Sequence, residues 1–160
     1  TQMLPESQLD RFMIKLSMGY PDPASEIAIL KDRQGANPLN DVKQVVDGKD
    51  IVMMQEETDN LHMDDAIIEY ITMLSFATRQ NPLIELGVSP RGSIALAGMS
   101  KAKAYISGRT YVTPEDVQSI FKDVAGHRII LNPRAKISSV TIDEVIDNIF
   151  RTVPVPRAMR

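Results

Sequence analysis

Two arginines stand where a guanidinium could meet a phosphate. Arg91 follows Ser89 and Pro90, a capping residue and a proline that together open a helix, so it falls in that helix's first turn. Free backbone N–H groups and the positive end of the helix dipole favour an anion there and disfavour a cation. An arginine at that point makes sense if it shares an anion with the N–H groups. A solvated Arg91, or one paired with a nearby carboxylate, is the plainer alternative, since helix-terminal ion preferences amount to only ~0.3–1 kcal/mol. Arg11, in Asp10-Arg11-Phe12, lies at the junction of a short helix and a strand, a place that puts side chains on domain surfaces. A local ion pair with Asp10 or Glu6 is its plainer reading.

Two further clusters carry charge. Glu56, Glu57, Asp59, His62, Asp64 and Asp65 could form a carboxylate-rich metal site. They read more simply as a solvated face followed by a helix N-terminus, and no metal is expected. His127, Arg128, Arg134 and Lys136 flank Ile129-Ile130-Leu131 and would make a phosphate or partner surface, or a solvated rim. A phosphate-binding P-loop is missing. It requires Gly, four residues, then Gly-Lys-Ser/Thr. The sole Gly-Lys, Gly48-Lys49, is followed by Asp50, and Lys43 stands where the first Gly should be. A Gly-x-Ser-x-Gly elbow, a His-Glu-x-x-His helix and an EF-hand loop are missing too. These 160 residues hold no complete catalytic machinery of their own.

Composition narrows the class. With 43% hydrophobic and 24% charged residues the chain is an ordinary globular sequence. The absence of cysteine excludes disulfides and thiolate metal sites, and two distant histidines make a histidine metal site improbable. A net charge of -3 and 5% aromatic residues argue against nucleic-acid binding. No apolar run approaches the roughly 20 residues that span a bilayer. Thr1 is not an initiator Met, and residues 1–20 lack the apolar stretch of a signal peptide. The expectation is a cytoplasmic protein of which this chain is an excised piece.

The elements that must position these residues follow from periodicity and caps. Leu4 to Arg11 suggests a short helical turn, and the alternation of Phe12, Ile14, Leu16 and Met18 predicts a strand over 12–18. Gly19 to Pro23 breaks it. Asp22 caps a helix with Pro23 at its first position and Ala24, Ile27 and Leu30 on one face. Gln34–Asn40 is a loop, Val45-Val46 a brief strand, and Lys49–Leu61 a helix. Asp64-Asp65 open a helix with Ile67, Tyr70, Ile71 and Leu74 inward, which Arg79 to Pro82 stops. Ser89-Pro90 opens the next, with Ala95, Met99, Ala102 and Ile106 as its stripe and Gly98 as a point of close approach. Thr113-Pro114 opens a third, with Val117, Ile120, Phe121 and Val124 inward. Thr141 and Glu144 form a capping box for a last helix, and 153–160 is a frayed tail. The sum is a bundle of about four main helices.

Read in order, these segments resemble the MoxR family of AAA+ ATPases. Leu4-Pro5-Glu6-Ser7-Gln8-Leu9-Asp10-Arg11-Phe12 is similar to the family's LPEAQLDRF, and Ser89-Pro90-Arg91-Gly92-Ser93 to its lid motif SPRA. Gly108 to Val117 resembles GRDYVTPDDV, His127-Arg128-Ile129 resembles HRL, and Asp65–Ile71 and Ala77-Thr78-Arg79 fit the lid pattern. The resemblance implies a mainly α fold, an AAA+ helical lid bundle over 21–160. Before it, residues 1–20 would be the last helix and strand of an αβα nucleotide-binding core. The Walker A, Walker B and sensor-1 segments would precede Thr1, so the piece alone would be inactive and its strand at 12–18 disordered or paired with another chain. Arg91, flanked by Ser89 and Pro90, would be the sensor-2 arginine that reaches the nucleotide's phosphates. Arg11 would be an arginine finger acting on the neighbouring subunit's nucleotide. Pro21-Asp22-Pro23 would be the hinge.

The resemblance further implies ATP and Mg as cofactors of the full-length parent, a homo-oligomeric, hexameric ring, chaperone-like remodelling, and von Willebrand factor A-type partners. Gly92 departs from the family, which often has Ala there, and would loosen the first turn by ~1 kcal/mol or less. Two other readings stay open: a stand-alone helical interaction module, and a nucleic-acid-binding helical domain.

Overall fold

Most helices among the described residues start where a small polar side chain caps them. The computed structural model describes residues 4–34 and 37–156. Gly35 and Ala36 of the expected loop, and the basic end at Arg157 and Arg160, lie outside the described residues. Two compact units are present, one drawn from Thr1–Lys15 and Glu57–Arg160, the other from Leu16–Glu56.

The first unit holds the four expected main helices. α4 (Asp65–Gln80) starts at Asp64, whose carboxylate accepts from the Ala66 N–H at 2.8 Å. α5 (Pro90–Ile106) starts at Ser89, whose Oγ accepts from the Gly92 N–H at 3.2 Å. α6 (Pro114–Ala125) starts at Thr113, whose N–H donates to the Asp116 carboxylate at 2.8 Å. α8 (Ile142–Thr152) carries the Thr141/Glu144 capping box, with reciprocal contacts of 2.8 and 3.2 Å. Their apolar stripes meet in one core. Ile67, Tyr70, Ile71 and Leu74 of α4, Val117, Phe121 and Val124 of α6, and Val145, Ile146 and Ile149 of α8 are all buried. Phe121 and Phe150 meet edge to face, ring centroids 5.3 Å apart.

On α5 the buried face is Gly92, Ala95, Leu96, Ser100 and Ala104, so it is rotated from the expected stripe and Ile106 is exposed. The close approach is at Gly92 and not at Gly98, which has open space around it. Gly108 takes φ +72° after α5, a left-handed turn that glycine adopts without strain.

Three small elements complete the unit, apart from α1 (Glu6–Leu9). β1 (Ile84–Leu86) and β2 (Ile130–Leu131) form an antiparallel pair with Ile84 opposite Leu131. α7 (Pro133–Ile137) follows, capped by Asn132, whose side-chain oxygen accepts from the Ala135 N–H at 3.0 Å. Val153 is buried, so the expected frayed tail stays packed at its start.

The strand expected over 12–18 does not form among the described residues. A strand needs a ladder partner, and residues 12–15 bond instead to the end of α6: the Lys15 N–H donates to the Asp123 carbonyl at 2.9 Å. Ile14 packs on the core while Phe12 and Met13 are exposed.

In the second unit, α2 (Pro23–Asp32) has the expected cap, Asp22 accepting from the Ser25 N–H at 2.7 Å. This and a further hydrogen bond to the Ser25 side chain hold the Asp22 carboxyl below the usual carboxylate range. A 3-10 turn spans Pro38–Asp41, and α3 (Gly48–Asp59) begins at Asp47. Ile27 and Leu30 of α2 are exposed, and Val45-Val46 is irregular rather than a strand.

Candidate functional site

Arg128 ties the N-terminal segment to the end of α6. It follows α6, and its side chain is only 2% exposed. A buried guanidinium must place its five N–H donors or lose much stability. Here Nε donates to Asp10 Oδ1 at 2.9 Å, and Nη2 to the carbonyls of Asp10 and Phe12 at 3.0 and 2.6 Å. Nη1 donates to the carbonyls of Met13, at 3.2 Å, and of Val124. The turn after α1 is therefore wrapped around one charged side chain.

The other side of Asp10 faces the start of α5. Ser89 Oγ donates to both carboxylate oxygens of Asp10, at 3.0 Å each, while it accepts from the Gly92 N–H. The anion beside this helix N-terminus is thus Asp10, where helix dipole and cap both favour it. Gly92 makes the arrangement possible. A Cβ there would lie 2.6 Å from Val88 Cγ1 and 3.0 Å from Arg128 Cδ, so the residue that departs from the resemblance leaves room for the buried arginine. The preceding loop is fixed as firmly. The Val88 N–H donates to Thr78 Oγ1 at 2.9 Å, Arg79 Nε donates to the Val88 carbonyl at 2.7 Å, and a Cβ on Gly87 would strike the Thr78–Arg79 backbone at 2.8 Å. Ser93 Oγ donates to Ser75 Oγ on α4 at 2.9 Å.

Against this rigid frame the two arginines singled out by sequence are exposed. Arg91 is the second residue of α5, and Arg11 is in the turn after α1. Neither side chain has a hydrogen bond or ion pair among the described residues, so the local pairings of Arg11 with Asp10 or Glu6 are not made. Asp10 belongs to Arg128 instead. Pro90 is exposed at the first position of α5. An open groove of about 920 Å3 runs beside the knot, lined by α1, Asp10, Gly87, Ser89, His127 and Arg128. His127 Nε2 lies 3.0 Å from the Phe12 carbonyl. Burial pushes the imidazole below its ordinary value of 6.5, and the Arg128 charge adds to the effect.

The basic patch expected around His127 is not one surface. Arg128 is buried, whereas Arg134 and Lys136 are exposed on α7. The acidic stretch is used structurally: Glu57 accepts from Tyr105 Oη at 2.5 Å, the Asp59 carbonyl accepts from Lys101 Nζ at 2.6 Å, and Asp64 caps α4. Among the described residues, no three His, Cys, Asp or Glu side chains are grouped to hold a metal. Arg109 makes a two-pronged pair with buried Asp116, fastening the 109–113 loop to α6. Burial alone would push the Asp116 carboxyl up, but hydrogen bonds from Arg109 and Thr113 together hold it below the usual range.

Sequence reasoning missed Asp10 and the burial of Arg128. The available signal was that Asp10 and Arg128 each sit inside a family-like motif, LDRF and HR.

Comparison with known proteins gives this arrangement its class. The family described as the AAA lid domain matches residues 76–149, which run from α4 to α8. The bundle is an AAA+ lid. YeaC of Bacillus subtilis, described as uncharacterized, is 40% identical over 98% of this chain and 49% of its own length. Chaperone MoxR1 of Mycobacterium tuberculosis is 32% identical over 96% of this chain and 43% of its own. The crystal structure of a candidate ATPase from Cytophaga hutchinsonii matches with a TM-score of 0.87 at 30% identity, over 98% of this chain and 50% of that one. Over nearly its whole length the chain is similar to MoxR-type AAA+ proteins, and it spans about half the length of these relatives. Among the described residues no helix is long and apolar enough to cross a membrane.

Proposed function

We propose that this chain is the nucleotide-sensing and lid portion of a cytoplasmic AAA+ ATPase that couples ATP hydrolysis to chaperone-like remodelling of partner proteins. Residues 1–20 would be the end of its αβα core and 21–160 its lid. The observation that carries the reading is Arg91: an exposed guanidinium without a polar partner among the described residues, in the first turn of a helix whose start is pinned on three sides. A guanidinium carried on so firmly seated a turn and left unpaired is suited to an anion brought by a ligand.

The residues present fit part of a nucleotide site. Arg91 and Arg11 can contact phosphate oxygens with planar paired donors, while Mg ligands and a phosphate-cradling loop would come from the core. ATP, bound with Mg, would supply the phosphoryl group that is transferred to water. Charge accumulates on the γ-phosphoryl oxygens as transfer proceeds, and a guanidinium set in place beforehand stabilises it without reorganising. Arg91 would do this from the subunit's own lid. Arg11 would do it for the neighbouring subunit in a homo-oligomeric, hexameric ring. Loss of the γ-phosphate would release Arg91 and let the lid shift. Partners with von Willebrand factor A-type domains fit a remodelling role of this kind; nucleic acid does not suit the net charge of -3.

The test is ATP turnover by the full-length parent, wild type beside Arg91→Ala. Arg91 makes no hydrogen bond or ion pair among the described residues, so the variant should fold normally and lose most of its turnover.

A further inference from the structure

We infer that the Asp10–Arg128 ion pair is a cis latch that makes the start of α5 and the segment bearing Arg11 respond as one body. Arg128 is a positioning residue and touches no substrate. The inference rests on the nucleotide-sensing reading above and adds a regulatory link between two sites that this reading treats separately.

Three observations place the link there. First, the two segments are far apart in sequence yet joined through one carboxylate: Asp10 accepts from Arg128 Nε at 2.9 Å and from Ser89 Oγ at 3.0 Å. Second, the joint is stiff. Arg128 is 2% exposed and also grips the carbonyls of Asp10, Phe12 and Met13, on both sides of Arg11. Third, the same Ser89 hydroxyl accepts from the Gly92 N–H, so a shift of the first turn of α5 is felt directly at Asp10. Arg91 lies inside that turn and Arg11 is the chain neighbour of Asp10. Phosphate engaged by Arg91 in one subunit would therefore set the position of Arg11, which serves the next subunit's nucleotide. A packed, fully bonded joint of this sort transmits displacement because it has few alternative arrangements.

Asp10→Asn in the full-length parent tests this. The substitution keeps the side chain's shape and an oxygen for Ser89, removes the charge opposite Arg128, and leaves Arg128 its backbone carbonyls. Two readouts are taken: steady-state ATP turnover, and amide exchange at residues 11–13 and 92–93 with and without a non-hydrolysable ATP analogue. In the wild type, the analogue should slow exchange in both segments. In Asp10→Asn it should slow exchange at 92–93 only. kcat should fall at least about fivefold, the lower end of ordinary coupling between sites, with the KM for ATP within about twofold. A variant in which both segments still respond overturns the latch, whether or not kcat falls, because Asp10 would then be structural only. A wild type that neither binds the analogue nor turns over ATP overturns the nucleotide reading itself, and the latch with it.

Discussion

Replacing Gly92 with alanine sets two opposing effects against each other, and the structure decides between them. Alanine is the better helix former by about 1 kcal/mol in a helix interior, and by less at the third position, where Gly92 lies. Against this, the new Cβ would sit 2.6 Å from Val88 Cγ1, 3.0 Å from Arg128 Cδ and 3.3 Å from Arg128 Nε. Neither neighbour can yield cheaply. The Val88 methyl is attached directly to a β-branched Cβ whose backbone N–H and carbonyl are both held, by Thr78 and Arg79. The Arg128 chain is stretched between Val124, Asp10, Phe12 and Met13. Overpacking of a fixed interior costs about 1–3 kcal/mol. The overlap should win, leaving the variant less stable by about 1–2 kcal/mol, or roughly 2–8 °C in Tm. Thermal unfolding followed by circular dichroism measures this, with Gly98→Ala as control. Gly98 is in the same helix with open space around it, so alanine there should be neutral or stabilising. A Gly92→Ala protein that melts at or above the wild-type temperature would refute the reasoning, and with it the claim that Arg128 is held in one place.

Further predictions rest on other contacts. The Asp116 carboxyl is held low in the folded state by Arg109 and Thr113, so its contribution to stability is full above its unfolded value of 3.8 and is lost as pH falls through the lower folded value. Acid titration of the wild type should show this loss, and Asp116→Asn should be less stable at pH 7 with a flatter acid limb; parallel acid limbs would count against it. Ser89→Ala removes the α5 cap and a side-chain partner of Asp10, and should cost about 0.5–2 kcal/mol in denaturant unfolding. No change in midpoint would mean that the cap is not formed in solution.

Caps and stripes made the lid bundle legible. Asp22, Asp64, Ser89, Thr113 and Thr141 each precede a helix, because a short polar side chain before an apolar period of 3.6 satisfies free N–H groups that nothing else reaches. The strand expected at 12–18 failed for the converse reason. Alternation describes a face, while a strand also needs a neighbour, and these residues bond to α6 and Arg128 instead. Likewise Ile27 and Leu30 mark a helix face without saying what covers it. The position of Arg91 could be read from Ser89-Pro90 alone. The partnership of Asp10 with Arg128 could not, since it spans 118 residues and no local pattern records it. Gly92 looked like a weak point by propensity and is a packing necessity by geometry. That difference arises because a propensity scale knows nothing of the neighbour.

The central claim is that Arg91 works on a nucleotide's phosphates, and the most direct test compares ATP turnover of the full-length parent with that of Arg91→Ala at matched folding, checked by melting temperature. The account predicts unchanged melting and a collapse of turnover, on the order of the 10³–10⁵ that a phosphate-directed arginine can contribute or a large part of it. Turnover equal to the wild type in a folded Arg91→Ala protein would contradict the account.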